Sequence, residues 1–220
     1  MINVLVVDDH AVVRAGLRLL LETGSDMTAV GEAGDGAEAV RQAHALRPDV
    51  VLMDLHLPVM DGVAATERIV AELPETKVLA LSTFDLQEHV VAALRAGASG
   101  FLPKDASPEE LMEGIRIVHR GEATVAPRLL LGLIGTFVRP ARPRAVEVPA
   151  ALSELTPRER QVLELIARGL SNERIAAEVG LAVSTVKNRV SDLFAKLGVR
   201  DRAQAVIVAY EAGLVTPGDP

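Results

Sequence analysis

The chain predicts two folded units of different class. Residues 1–120 read as an α/β domain with a five-stranded, parallel, doubly wound sheet of the flavodoxin-like kind, and residues 151–216 as an all-α, four-helix helix-turn-helix domain. Three observations point there. Up to residue 120, short apolar runs alternate with stretches of helical spacing, the pattern of a parallel sheet wrapped on both faces. Beyond residue 151 the apolar period is helical throughout. Between them, Arg139-Pro140-Ala141-Arg142-Pro143-Arg144 carries proline too densely for a core and reads as an extended linker.

The apolar runs at 2–7, 28–33, 50–54, 77–82 and 100–103 are the expected strands. Helical spacing covers roughly 11–23, 36–46, 62–73, 86–96 and 107–120. Ser107-Pro108-Glu109-Glu110 opens the last of these as a capping box, with an N-cap serine, proline in the first turn and glutamate three residues on. Residues 121–150 form the linker with a short apolar helix. Pro127 to Val138 is apolar nearly all round and is expected to pack on the first domain or on a second copy. Thr156-Pro157-Arg158-Glu159 is a second capping box, opening a helix to about Arg168 that Gly169 ends. Ser171 caps a short helix to Val179, Gly180 makes the turn, a third helix runs from about Ala182 to Leu197, and a fourth covers roughly 201–212. A tight glycine turn between the second and third is a helix-turn-helix layout.

Composition narrows the function. Cysteine is absent, which excludes disulfides and thiolate metal sites. No segment reaches the ~18 apolar residues of a membrane span, and no signal peptide precedes the first strand, so a cytoplasmic protein without membrane contact is expected. The net charge of −7 is uneven. Residues 1–120 hold 10 Lys+Arg against 19 Asp+Glu, whereas residues 150–220 hold 9 of each. The acidity belongs to the first domain and does not argue against nucleic-acid binding by the second.

The first-domain strands end in reactive side chains. Asp8-Asp9, Asp54, Ser82-Thr83 and Lys104 each close an apolar run. Singly they have ordinary explanations: Asp8-Asp9 as caps of the helix near Ala11, Asp54 as a loop residue, Lys104 as a surface lysine. Together they occupy the carboxyl edge of a parallel sheet, where ligands bind. The set suits a phosphoryl group carried on Asp54. Asp8 and Asp9 supply hard oxygen ligands for Mg²⁺, Lys104 pairs with phosphoryl oxygens, and Ser82 adds a donor.

These residues bring a resemblance. Residues 1–120 resemble the receiver domain of bacterial two-component response regulators. The carrying motifs are Val6-Val7-Asp8-Asp9-His10, Met53-Asp54-Leu55-His56-Leu57-Pro58, Met60-Asp61-Gly62, Leu81-Ser82-Thr83 and Leu102-Pro103-Lys104-Asp105. The resemblance implies phosphorylation of Asp54 by a partner histidine kinase. It implies Mg²⁺ on Asp9, Asp54 and the backbone carbonyl of His56, with Asp8 nearby through water. It makes Ser82 rather than Thr83 the hydroxyl switch, and Phe101 the aromatic rotamer switch.

On a helical wheel of the third C-terminal helix, Val186, Val190, Leu193, Phe194 and Leu197 share one side. Ser184, Lys187, Asn188 and Ser191 share the other, flanked by Arg189, Lys196 and Arg200. Small and amide side chains can approach base edges while basic ones reach phosphates. A solvated amphipathic face explains the spacing equally well. Residues 152–215 resemble the LuxR-type DNA-binding domain of the NarL/FixJ response regulators, through Leu155-Thr156-Pro157-Arg158-Glu159-Arg160, Gly169-Leu170-Ser171-Asn172-Glu173-Arg174-Ile175-Ala176, Ser184-Thr185-Val186-Lys187-Asn188-Arg189-Val190 and Lys196-Leu197-Gly198-Val199-Arg200-Asp201-Arg202. The resemblance implies base and backbone contacts to double-stranded DNA from Lys187, Asn188 and Ser191, and a dimer contact on the last helix; Ser184, Thr185 and Arg189 beside them are expected to join the DNA-binding face. Two departures stand out. Ala182 occupies the family's usual serine cap, which moves the expected helix start to Ser184. Arg189 stands where a histidine is common.

The resulting expectation is a DNA-binding transcriptional response regulator, switched by phosphorylation of Asp54, homodimeric when phosphorylated and reading inverted half-sites. It is not expected to turn over a separate substrate. Two rivals stay open: a hydrolase working through an aspartyl-phosphate, and a receiver whose output ignores phosphate.

Overall fold

Apolar residues at alternate positions sort the first strands into a sheet with two buried faces. The computed structural model describes residues 1–82, 87–121, 124–125, 152 and 154–215. The chain divides into two units, Met1–Leu130 and Leu131–Pro220. In the first, β1 (Ile2–Val7), β2 (Met27–Ala33), β3 (Val50–Asp54), β4 (Lys77–Ser82) and β5 (Gly100–Pro103) alternate with five helices. These are α1 (Ala11–Thr23), α2 (Gly36–Leu46), α3 (Gly62–Glu72), α4 (Gln87–Arg95) and α5 (Pro108–His119). The strands pair in parallel in the order β2-β1-β3-β4-β5-β6, where β6 (Thr124–Val125) is a two-residue strand beside β5.

Val4, Val6, Leu52, Leu79 and Leu81 point to one face and meet Leu21 of α1 and Leu111, Ile115 and Val118 of α5. Their neighbours Leu5, Val7, Val51, Met53 and Val78 point to the other and meet Ala39, Val40 and Ala43 of α2 and Ala65 and Ile69 of α3. Period-two burial on both faces is what a doubly covered parallel sheet requires. The expected five-stranded sheet is present. β6 is an addition, formed inside the 121–150 stretch expected to be linker, just after a turn at Gly121 with φ +74°. The apolar 127–138 segment and the proline-rich run after it lie outside the described residues.

The second unit packs α6 (Pro157–Ala167), α7 (Asn172–Val179), α8 (Val183–Leu197) and α9 (Arg202–Glu211) around Leu163, Ile166, Ile175, Val186, Leu193 and Ala205. Both expected capping boxes form, Ser107 with Glu110 and Thr156 with Glu159. Gly180 closes α7 at φ +67°, a left-handed turn that glycine adopts without steric penalty. The shifted helix start is a correction. α8 begins at Val183, one residue before Ser184, with uncapped Ala182 as its N-cap and a bond from Val186 N–H to the Ala182 carbonyl. Tertiary burial of Val186 fixes that first turn in place of a side-chain cap. Among the described residues no helix is long and apolar enough to cross a membrane.

Candidate functional site

The sheet order reverses direction between β1 and β3, and the carboxylates at their carboxyl ends, Asp8 and Asp54, meet on one ammonium. Lys104, just past β5, reaches across the edge. Its Nζ donates to Asp8 Oδ2 at 2.5 Å and to Asp54 Oδ2 at 2.7 Å. The side chains of Asp8, Asp54 and Lys104 are 1%, 3% and 16% exposed, so this clasp is nearly sealed from solvent. Burial alone pulls the Lys104 ammonium toward a lower pKa. The hydrogen bonds to Asp54 and Asp8, and their charge, outweigh it and hold the group above its ordinary 10.5.

Backbone geometry positions each member. Asp54 Oδ1 accepts from His56 N–H at 3.2 Å, and Asp8 Oδ1 accepts from His10 N–H at 2.8 Å. Asp8 therefore folds its own following turn and does not cap α1, whose N-cap is His10. The Lys104 N–H donates to the Ser82 carbonyl at 2.8 Å, which fixes β5 against β4. Ser82 is buried at the end of β4, opposite Pro103. Phe101 is fully buried, opposite Ala80. Thr83 lies outside the described residues.

Close packing holds the corner after Asp54. A Cβ on Gly62 would stand 2.0 Å from the Asp54 carbonyl oxygen, so only glycine lets α3 start there. Asp61 caps that helix by accepting from Ala64 N–H at 2.8 Å.

The acidic residues fall into two groups. Asp8, Asp9 and His10 bring ligand atoms within 4.8 Å of one another, whereas Asp54 stands outside that group and meets Asp8 through Lys104. Asp8 and Asp54 share one ammonium while Asp9 lies beside His10, so the three carboxylates leave an excess of negative charge on hard oxygens. That donor set suits a divalent cation. Two participants lacked a stated role in the sequence reading. His10 places its ring on the acid pair, and Arg14 Nη1 donates to the Asp8 carbonyl at 2.6 Å. A signal for Arg14 was its position one helical turn beyond His10, the N-cap of α1.

In the second unit, α8 buries Val186, Val190, Leu193 and Leu197 and packs Phe194 partly against the same core. Ser184, Lys187, Asn188, Arg189 and Ser191 are exposed, and Thr185 is half-buried. Ser191 Oγ donates to the Lys187 carbonyl at 3.1 Å, so its proton is engaged within the helix. Arg189 lines a groove with Thr156, Arg158, Glu159 and Asp192. Several of the motif residues hold the scaffold. Lys196 Nζ donates to Glu159 Oε2 at 3.0 Å, tying α8 to α6. Arg158 Nη2 donates to the Val179 carbonyl at 3.0 Å, tying α6 to α7. Arg202 bonds Asn172 and the Leu170 carbonyl. Asp201, fully buried, caps α9 through Gln204 N–H.

Comparison with known proteins agrees with both halves. Residues 4–116 match the response regulator receiver domain, and residues 153–209 match the bacterial regulatory proteins of the luxR family. The chain is 41% identical over 214 residues to the response regulator protein VraR of Staphylococcus aureus, covering 97% of this chain and 99% of that one. Response regulator ChrA of a heme-sensing two-component system superposes with a TM-score of 0.52 at 34% identity, over 97% of this chain and 98% of that chain. The receiver domain of the putative response regulator NarL from Mycobacterium tuberculosis gives 0.53 at 37% identity, over 55% of this chain and 97% of that chain.

Proposed function

The chain belongs to the two-component response regulators that join a receiver domain to a LuxR-type DNA-binding domain, and on that premise we propose that phosphorylation of Asp54 switches its binding to DNA. The observation that carries the reading is the buried Asp8–Lys104–Asp54 clasp at the carboxyl edge of the sheet. Asp54 is the phosphoacceptor. One of its carboxylate oxygens attacks the phosphorus of a phosphohistidine on a partner kinase. The P–N bond breaks, and the leaving imidazole keeps the bonding pair and takes up a proton. Lys104 exchanges an Asp54 oxygen for a phosphoryl oxygen while remaining on Asp8. Ser82 turns toward the phosphoryl group, and Phe101 repacks in the space this opens. Hydrolysis of the acyl phosphate resets the site, so the chain's own chemistry is confined to Asp54.

Asp8, Asp9 and Asp54, with the His56 carbonyl, would hold Mg²⁺. When bound, that ion supplies positive charge for the oxygens of the transferring phosphoryl group. Readout falls to α8. Lys187 and Arg189 meet phosphates, and Ser184, Thr185, Asn188 and Ser191 lie against base edges and backbone of double-stranded DNA. The phosphorylated protein is a homodimer on inverted half-sites, with α9 contributing to the dimer, and it acts in the cytoplasm.

Incubating the full chain with a small phosphodonor and Mg²⁺ tests the assignment. Asp54→Asn is expected to abolish labelling. Labelling that survives the substitution sinks the reading.

A further inference from the structure

His10 sets an imidazole nitrogen beside the acid pair, a donor that can bind a metal ion where the Lys104 ammonium and the Arg14 guanidinium cannot. It holds the N-cap position of α1 but makes no side-chain bond to that helix. Its ring turns to the acid pair instead, with Nδ1 at 2.5 Å from Asp9 Oδ1 and 3.5 Å from Asp8 Oδ1. The turn beneath it is fixed, because the His10 N–H and the Arg14 guanidinium both bond Asp8. Asp8, Asp9 and His10 each present one ligand atom within a 4.8 Å span. One ion with bonds of about 2.1 Å closes that span after side-chain shifts of under ~1 Å. The His10 side chain is 70% exposed, so the ring is free to make them.

Mg²⁺ prefers oxygen donors and geometry close to octahedral, and gains little from imidazole. First-row transition ions bind imidazole well. Building on the assignment of Asp8 and Asp9 to the cation site, we propose that His10 is a further metal ligand, which tilts the receiver from Mg²⁺ toward first-row transition ions, with Mn²⁺ as the spectroscopic probe and Fe²⁺ or Zn²⁺ favoured more strongly still. The cation that enables phosphotransfer in this protein then depends on which of these ions is available.

The test uses the full chain with Mn²⁺ alone and with Mg²⁺ as competitor, reading free Mn²⁺ by electron paramagnetic resonance. Pulsed measurements on the bound ion report directly coordinated nitrogen. The wild type shows a nitrogen coupling. His10→Ala loses it and weakens Mn²⁺ by about tenfold while changing Mg²⁺ by less than about twofold. His44→Ala, at the opposite edge of the sheet, keeps the coupling. Persistence of the coupling in His10→Ala overturns the proposal. So does a parallel fall of both affinities, or a parallel rise from freeing Asp9 of its histidine partner. Asp9→Asn separates the two levels. If it abolishes binding of both ions while His10→Ala is silent, the cation site stands and the histidine ligand falls. If it changes neither affinity, the cation site itself is refuted.

Discussion

Val59 sits at φ +66°, in the left-handed region that β-branched residues seldom enter, and its side chain is 88% exposed. Nothing it buries offsets the strain, which costs ~1–2 kcal/mol for an L-residue. Glycine there loses ~0.5–1 kcal/mol to chain entropy. Val59→Gly is therefore expected to leave stability unchanged or raise it by up to about 1.5 kcal/mol, read from denaturant unfolding; a clear loss would show a packing role for the side chain. This strain was invisible beforehand, since Pro58-Val59-Met60 names no φ. Asp8, Asp54 and Lys104 were legible because each ends an apolar run, and topology alone brings such ends together. His10 was not, because its place depends on which way the Asp8 carboxylate turns to meet a backbone N–H.

At the scale of elements, the capping boxes at Ser107 and Thr156 were readable residue by residue, since caps are local chemistry. The start of α8 was not, because distant packing overrode the missing cap. Ala182→Ser supplies the absent side-chain acceptor, and thermal unfolding of the second unit should show a gain of ~1 kcal/mol. Thr156 N–H, then Lys196 and the Thr156 hydroxyl, hold the Glu159 carboxyl at about 2, below its ordinary 4.5. A depressed pKa stabilises the fold fully above about 4.5 and loses that contribution as pH falls toward about 2. Glu159→Gln should accordingly lower stability at neutral pH, and the gap to wild type should close across that acid window. A gap that stays constant with pH would mean that the carboxylate charge contributes nothing. β6 escaped the sequence reading because two residues carry no period to detect.

Over the whole molecule, the acidic first domain and the charge-balanced second have opposite relations to a polyanion. The overall charge of −7 averages over the two domains and belongs almost wholly to the first. Lys187, exposed on α8, is expected to act through phosphate, so Lys187→Ala should weaken binding about equally on all sequences and reduce the salt slope by about 1. Binding titrations on specific and scrambled duplexes at several salt concentrations decide it, and a sequence-selective loss would move Lys187 to the base edges. The ammonium clasp has one more consequence, in chain topology. Lys104 closes loops of 96 residues to Asp8 and 50 residues to Asp54, contacts that polymer statistics make late and slow to form. No amino-terminal fragment that stops before residue 104 can complete the pocket. During synthesis, then, the receiver stays without its clasp until nearly the whole domain has been made.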